Sequence, residues 1–183
     1  MRKLKFHEKK LLKKVDFLQW KSDRTAREAA VLKQYMIQDR QDYVKYNRLA
    51  GQVTQMSKKL LGLPPHSRVR IELTDKLLDK LFLMGVINSK RSLVAVEKLT
   101  SAAFARRRLP VVLVRMKFCE TLKQATQFIQ QGHIRVGPEV VTDPAFFVTR
   151  SMEDFITWVD GSKVKRTVAK YNDKLDDFDL LGE

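Results

Sequence analysis

The stretch that most constrains this chain's fold runs from residue 104 to 136, FARRRLPVVLVRMKFCETLKQATQFIQQGHIRV. Its apolar residues first recur at the period of a helix and then, after Gly132, at that of a strand. Leu109 precedes a proline and is biased out of the helical region, whereas Pro110 suits the start of a new helix. A bend at Leu109 and a helix from Pro110 to Phe118 are therefore expected. Thr121 caps a second helix that runs to Gln131 and stops at Gly132, with Leu122, Ala125, Phe128 and Ile129 facing inward. His133-Ile134-Arg135-Val136 then alternates, with Ile134 and Val136 toward a core and His133 and Arg135 outward. Gly137-Pro138 and Asp143-Pro144 are turn signals, and Val140-Val141, Phe146-Phe147-Val148 and Phe155 to Val159 read as short strands. Residues 104–160 thus form two helices on a small, mainly antiparallel sheet.

Charge sets the chemistry of this unit. It carries seven Lys/Arg (Arg106, Arg107, Arg108, Arg115, Lys117, Lys123, Arg135) against one acid, Glu120. The whole chain has a net charge of +15, which favours an anionic partner, nucleic acid before an anionic membrane surface. The cations cluster, which strengthens nucleic acid over a diffusely solvated basic surface. At least one arginine of the triplet must point away from the core. Arg108 and Arg115 are seven residues apart and fit one face, subject to rotation at the bend. Lys123 and Gln124 lie in the first turn of the Thr121 helix, where free N–H groups and the macrodipole favour an anion. Arginine forks match phosphate oxygens, and a helix pair fixed on a sheet suits RNA backbone better than duplex base edges. One or two of these arginines are expected to pair instead with Glu120, Glu153 or Asp154.

The rest of the chain divides into an arm, a lobe and a tail. Residues 1–38 are a basic arm with short helices; its first 21 residues hold eight Lys/Arg and two acids. Leu11, Leu12, Val15 and Leu18 make an amphipathic docking stripe there, and Thr25 with Glu28 has capping-box spacing for a helix over 22–37. Residues 39–103 form a helical lobe. Asp39 caps a helix to Leu61 with a stripe of Tyr43, Tyr46, Ala50, Val53, Met56 and Leu60; Gly62 and Pro64-Pro65 end it. Ser67 caps a helix so apolar (Val69, Leu73, Leu77, Leu78, Leu81, Phe82, Met84) that it belongs at the centre of its lobe, closed by Gly85. A connector over 88–99 and a short helix capped at Thr100 or Ser101 follow. Residues 161–183 are a tail that ends acidic, with Leu175, Phe178, Leu180 and Leu181 among Asp176, Asp177, Asp179 and Glu183; such a tail is disordered alone or docks on a partner. The class is α+β, a mostly helical lobe followed by the helix-on-sheet unit.

No phosphate-cradling loop, dinucleotide fingerprint or metal-ligand spacing is present. His7, His66 and His133 are far apart, and Cys119 is a small core residue beside Phe118 in a chain with one cysteine. No catalytic residue, metal or cofactor is implied. No apolar run reaches the ~18 residues of a membrane-spanning helix.

The run Arg107-Arg108-Leu109, Thr121, Ala125, Ile129 and Gly132-His133-Ile134-Arg135-Val136 resembles the RNA-binding domain of the ribosomal protein S4 family. The Gly132–Gly137 stretch is similar to the eukaryotic and archaeal branch, and the likeness extends over about residues 40–160. Pro110 stands where the family often has an acid, and Val136-Gly137-Pro138 replaces its common Val-Asn-Gly turn. The two ends resemble the S4-like branch found in the U3 small nucleolar ribonucleoprotein. The resemblance implies a nucleolar assembly factor without catalysis. It would bind U3 small nucleolar RNA and pre-ribosomal RNA and promote their base-pairing in early small-subunit processing. It also implies a large acidic scaffold protein of the U3 particle as partner, no membrane and no homo-oligomer. A structural protein of the mature small subunit and an RNA-modifying enzyme are the alternatives; the arm and acidic tail speak against the first, the missing motif against the second. Leu77, Leu81, Phe82 and Met84 carry more apolar surface than a small lobe hides, and are expected to receive a helix of the scaffold.

Overall fold

A computed structural model describes residues 2–16, 21–22 and 25–174, with side chains placed outside 11–26. The arm begins with α1 (Phe6–Lys14). It stops there because residues 15–16 form β1 (Val15–Asp16), antiparallel to β2 (Lys21–Ser22). The expected stripe of Leu11, Leu12, Val15 and Leu18 lies outside the described side chains, as does the acidic tail from Leu175. In α2 (Thr25–Gln34), Thr25 is already helical instead of a cap. The side chains of the expected capping box lie partly outside the described residues; the Glu28 carboxylate accepts from Arg40 at 2.7 Å. Met36 adopts a positive φ of 48° after α2, and Ile37 N–H reaches back to Leu32 O at 3.0 Å. That C-terminal wrap turns Tyr35 and Ile37 into the core, so the end of the arm belongs to the lobe.

Two long helices build the lobe, α3 (Arg40–Leu61) and α4 (Arg68–Leu83); Asp39 and Ser67 hold the expected N-cap positions, but neither side chain makes a capping hydrogen bond. The buried face of α3 is Tyr46, Ala50, Ser57 and Leu60, with Val53 half-buried. Met56 falls one position off that stripe and is 51% exposed; Ser57 takes the inward place. The central position expected for α4 is corrected: Leu78 and Leu81 are buried, while Val69, Ile71, Leu73 and Leu83 are exposed. α4 packs by an edge and leaves an apolar groove against α3. Short helices α5 (Leu93–Glu97) and α6 (Ser101–Ala105) follow, and α6 lies along α3.

The second half comprises α7 (Leu109–Arg115), α8 (Leu122–Gln130), β3 (Ile134–Val136), β4 (Glu139–Val140), α9 (Arg150–Glu153), β5 (Ile156–Trp158) and α10 (Lys163–Tyr171). The sheet order is β4-β3-β5, antiparallel throughout, with Arg135 opposite Val140 on one side and Thr157 on the other. The extended residue before α7 is Arg108 (ψ 145°), one position before the expected bend, so Leu109 opens the helix and Pro110 sits second. α7 also ends earlier than Phe118. Lys117 adopts φ +63° and Phe118 N–H closes onto Leu113 O at 3.0 Å, a left-handed termination usually given to glycine. Phe146-Phe147-Val148 is no regular strand. It makes one antiparallel bridge, Arg108 to Phe147, flanked by Leu109 N–H to Phe146 O (2.9 Å) and Val148 N–H to Arg107 O (2.8 Å). The core under α7, α8 and the sheet is Leu109, Val112, Leu113, Cys119, Ala125, Ile129, Ile134, Val148 and Ile156. Each large aliphatic side chain buried there contributes about 1.5–3 kcal/mol.

Candidate nucleic-acid interface

The arginine triplet after α6 sends each side chain to a different element. Arg106 is exposed, and its Nε donates to Tyr35 Oη at 3.1 Å. Arg107 is buried. It donates to Val148 O from Nε (2.8 Å) and Nη2 (2.6 Å), and Nη1 binds the Glu153 carboxylate. Its guanidinium lies against Gly85, where an added Cβ would stand 2.6 Å from Cζ; the φ of +73° there also favours glycine. Arg108 is buried against α3, donating from Nη1 to Asp42 Oδ2 (3.0 Å) and Tyr46 Oη (3.1 Å), while its Nε has no partner among the described residues. Desolvation pushes the Tyr46 hydroxyl up, against the pull of Arg108. The expectation that Arg107 and Arg108 face phosphate is therefore corrected. Both guanidinium groups are spent inside the molecule: Arg108 joins the two halves through Asp42 and Tyr46, whereas Arg107 satisfies a backbone carbonyl and a carboxylate of its own half and touches the first half at Gly85.

What remains outward is the turn between α7 and α8. Lys117 and Lys123 bracket it, both exposed and without an ion-pair partner among the described residues. Arg115, 53% exposed, ends α7 and reaches Glu153 at 2.6 Å. Burial raises the Glu153 carboxyl, but hydrogen bonds from Arg107 and Arg115 outweigh it and hold the carboxyl below the usual range. Glu153 is thus the acid that pairs with the cluster, as one of the three candidates. Thr121 forms a full capping box: its Oγ1 accepts from Gln124 N–H at 3.3 Å, and Gln124 Oε1 accepts from Thr121 N–H at 3.4 Å. The Gln124 carbonyl is therefore used internally and its amide NH₂ faces solvent.

His133 and Arg135 stand apart from that turn. His133 is half-buried, edge-on to Phe128, with Nδ1 3.0 Å from Ser162 Oγ. Arg135 donates to Thr157 Oγ1 (3.0 Å) and Asp160 Oδ2 (2.8 Å). The hydrogen bond from Lys165, followed by the charge of Arg135, keeps the Asp160 carboxyl low. These bonds tie α10 to the sheet, in residues expected to be tail. α10 presents Lys163, Arg166 and Lys170 without partners among the described residues, a basic helix face missing from the sequence reading. Its signal was available as Val164, Val168 and Tyr171 at helical spacing among the cations.

The apolar residues expected to meet a protein partner divide as well. Leu77, Leu81 and Met84 line the α3–α4 groove of about 550 Å³, with Leu49, Val53 and Met56 opposite and Lys76 and Lys80 also lining it. Phe82 is corrected: it lies on the other side of α4, under the Arg150 guanidinium at 4.1 Å. Arg150 also donates to Ile87 O at 2.9 Å, a further tie between the halves. Among the described residues no three His, Cys, Asp or Glu side chains converge as a metal site, and no helix is long and apolar enough to cross a membrane.

The two halves match two known families in order. The Ribosomal protein S4/S9 N-terminal domain matches residues 3–104, and the S4 domain matches residues 107–154. The U3 small nucleolar ribonucleoprotein protein IMP3 of Saccharomyces cerevisiae is 51% identical over 181 residues, covering 98% of this chain and 99% of that protein. The protein of the same name in Homo sapiens is 50% identical over 181 residues, covering 98% of both chains. The small ribosomal subunit protein uS4 of Hyperthermus butylicus is 28% identical over 143 residues, 78% of this chain and 80% of that one. The resemblance of the central stretch to S4 and of the two ends to the U3 branch agrees with these matches. By its two domains and its full-length likeness, the chain belongs to the S4 family, in the branch of the U3 small nucleolar ribonucleoprotein protein IMP3.

Proposed function

We propose that this chain is a non-catalytic RNA-binding assembly factor of a U3 small nucleolar ribonucleoprotein, working in the nucleolus. It binds U3 RNA and pre-ribosomal RNA and promotes their base-pairing in early small-subunit processing. The observation that carries this reading is the likeness to IMP3 proteins across 98% of the chain, both ends included. The physical basis is charge: two RNA strands repel, and cations held on a rigid frame lower the cost of bringing their backbones together. Lys117 and Lys123 at the α7–α8 turn, with the outward part of Arg115 and the Gln124 amide, are the first contacts; Arg106, His133 and Arg135 are secondary, since each already has an internal partner. An annealing assay with U3-derived and pre-ribosomal RNA fragments tests the proposal. Lys117→Glu with Lys123→Glu should slow annealing on the order of tenfold or more, and salt should suppress the wild-type effect. No acceleration by the wild-type protein over RNA alone would refute it.

We also propose that the α3–α4 groove receives an amphipathic helix of a large acidic scaffold protein, with Lys76 and Lys80 meeting its acids. Hydrogen exchange with and without that partner checks this, and unchanged protection of α3 and α4 removes the idea. The likeness to uS4 supports a second reading, a structural protein of the mature subunit. Sedimentation separates the two: the first puts the protein in pre-ribosomal particles, the second in mature subunits.

A further inference from the structure

α3 has a second groove on its other flank. Residues 49, 53, 56 and 60 line the apolar groove toward α4, whereas residues 43, 47, 51 and 55 line one of about 880 Å³ between α2, α3 and the α5–α6 junction. The chemistry of the second groove differs. Arg27, Tyr43, Asn47, Gln55 and Thr100 line it, no carboxylate does, and none of these five side chains has a partner among the described residues. Beside the buried Ala50, the lining includes an exposed Gly51, midway along a 22-residue helix. Glycine is the weakest helix former after proline, so it needs a reason there. The fold supplies none: its φ is not positive, and an added Cβ would meet nothing within 4 Å. The residue keeps open a space that this chain leaves empty.

We infer that this groove is a second RNA site, one that takes a single-stranded segment with an unstacked base lying close over Gly51. Asn and Gln amides pair with base edges, an aromatic ring offers a stacking face, and a guanidinium meets phosphate; glycine allows close approach. The wall is mixed: Val31, Leu99 and Ala102 stand beside the polar side chains, so a base finds an apolar surface for its face and amides for its edge. The inference rests on the RNA-binding reading above, but it uses none of the α7–α8 residues.

The test uses the full chain, a short single-stranded oligoribonucleotide carrying a photoreactive base, and a hairpin of equal length. Gly51→Leu fills the groove; Asn47→Ala with Gln55→Ala removes exposed amides without touching the core. Both should weaken the single strand by about five- to a hundredfold while leaving the hairpin unchanged. Photocrosslinks should fall in the peptide spanning residues 43–55. Gly51→Ala should melt no lower than wild type, which shows that the fold does not need the glycine; a lower melting point would overturn the reading of Gly51. If both groove variants bind the strand as tightly as wild type, the inference fails, while loss on Lys117→Glu with Lys123→Glu keeps the primary reading. Protection of the groove by a protein partner with no RNA crosslink assigns it to a polypeptide and overturns the inference. Absence of any RNA binding by wild type overturns both readings.

Discussion

Replacing Asp42 with alanine removes the carboxylate that pairs with the buried Arg108 guanidinium. The Arg108 side chain is 2% exposed and Asp42 13%, and one guanidinium nitrogen already lacks a partner among the described residues. Deleting one member of a buried pair costs about 3–5 kcal/mol, because the other charge is stranded. Asp42 sits nearer the surface, so some water can follow the cavity inward, and we expect the low end, about 3 kcal/mol. In a chain of this length that corresponds to a fall in Tm of roughly 6–12 °C. The converse change, Arg108→Met, strands a carboxylate that reaches water and has Lys45 at 3.3 Å. It should cost less, about 1–2 kcal/mol. Combining the two should recover part of the loss from Asp42→Ala, since no lone charge remains buried. Urea unfolding followed by circular dichroism measures all three. An Asp42→Ala loss below about 1 kcal/mol, or a double variant as unstable as the sum of the singles, would refute the assignment of Arg108 as an internal clamp.

Other expectations follow from the same geometry. Lys117→Gly removes an outward charge and relaxes the left-handed backbone, so stability should hold or rise by up to about 1 kcal/mol while the RNA salt slope drops by roughly 0.7–0.9 per lost phosphate contact; an unchanged slope excludes Lys117 from the interface. The Glu153 carboxyl is held low when folded, so its stabilisation is complete above the unfolded value of about 4.3 and is lost as pH falls through the lower folded value. Urea midpoints on the acid limb should flatten in Glu153→Gln, and an identical limb would show that the Arg107 and Arg115 bonds contribute nothing. Burial pushes the Cys119 thiol up to about 11. Its alkylation in the native protein at mildly alkaline pH should run on the order of a hundredfold slower than in urea; equal rates would place it at the surface.

Local signals were legible in the sequence, and long-range ones were not. The Thr121 cap, the stop at Gly132 and the alternating strand after it depend on neighbours a few residues away, and the structure has them. The direction of Arg107 and Arg108 depends on Asp42, Gly85 and Glu153, each more than twenty residues distant. A run of arginines shows charge, not which way the chain turns around it. Met56 and Ser57 show the same limit on a smaller scale. Both fit a helical face within one step, and packing, not polarity, decided which went in. α4 misled in the opposite sense: its apolar content predicted a central helix, yet half of that surface stays exposed, which composition cannot distinguish from core.

The two family matches meet between residues 104 and 107, as though the chain were two exchangeable pieces spliced at a seam. The wiring at the seam forbids the exchange. Arg108 of the second piece is neutralised by the first, Arg107 lies in a notch that only Gly85 of the first leaves open, and Arg150 reaches back to Ile87. A transplanted second piece would keep Arg107 on its own Val148 and Glu153, but would leave Arg108 without its carboxylate and Arg150 without the Ile87 carbonyl. Here the boundary between the two family matches is itself bridged by side chains of both pieces, and the chain should unfold as one cooperative unit.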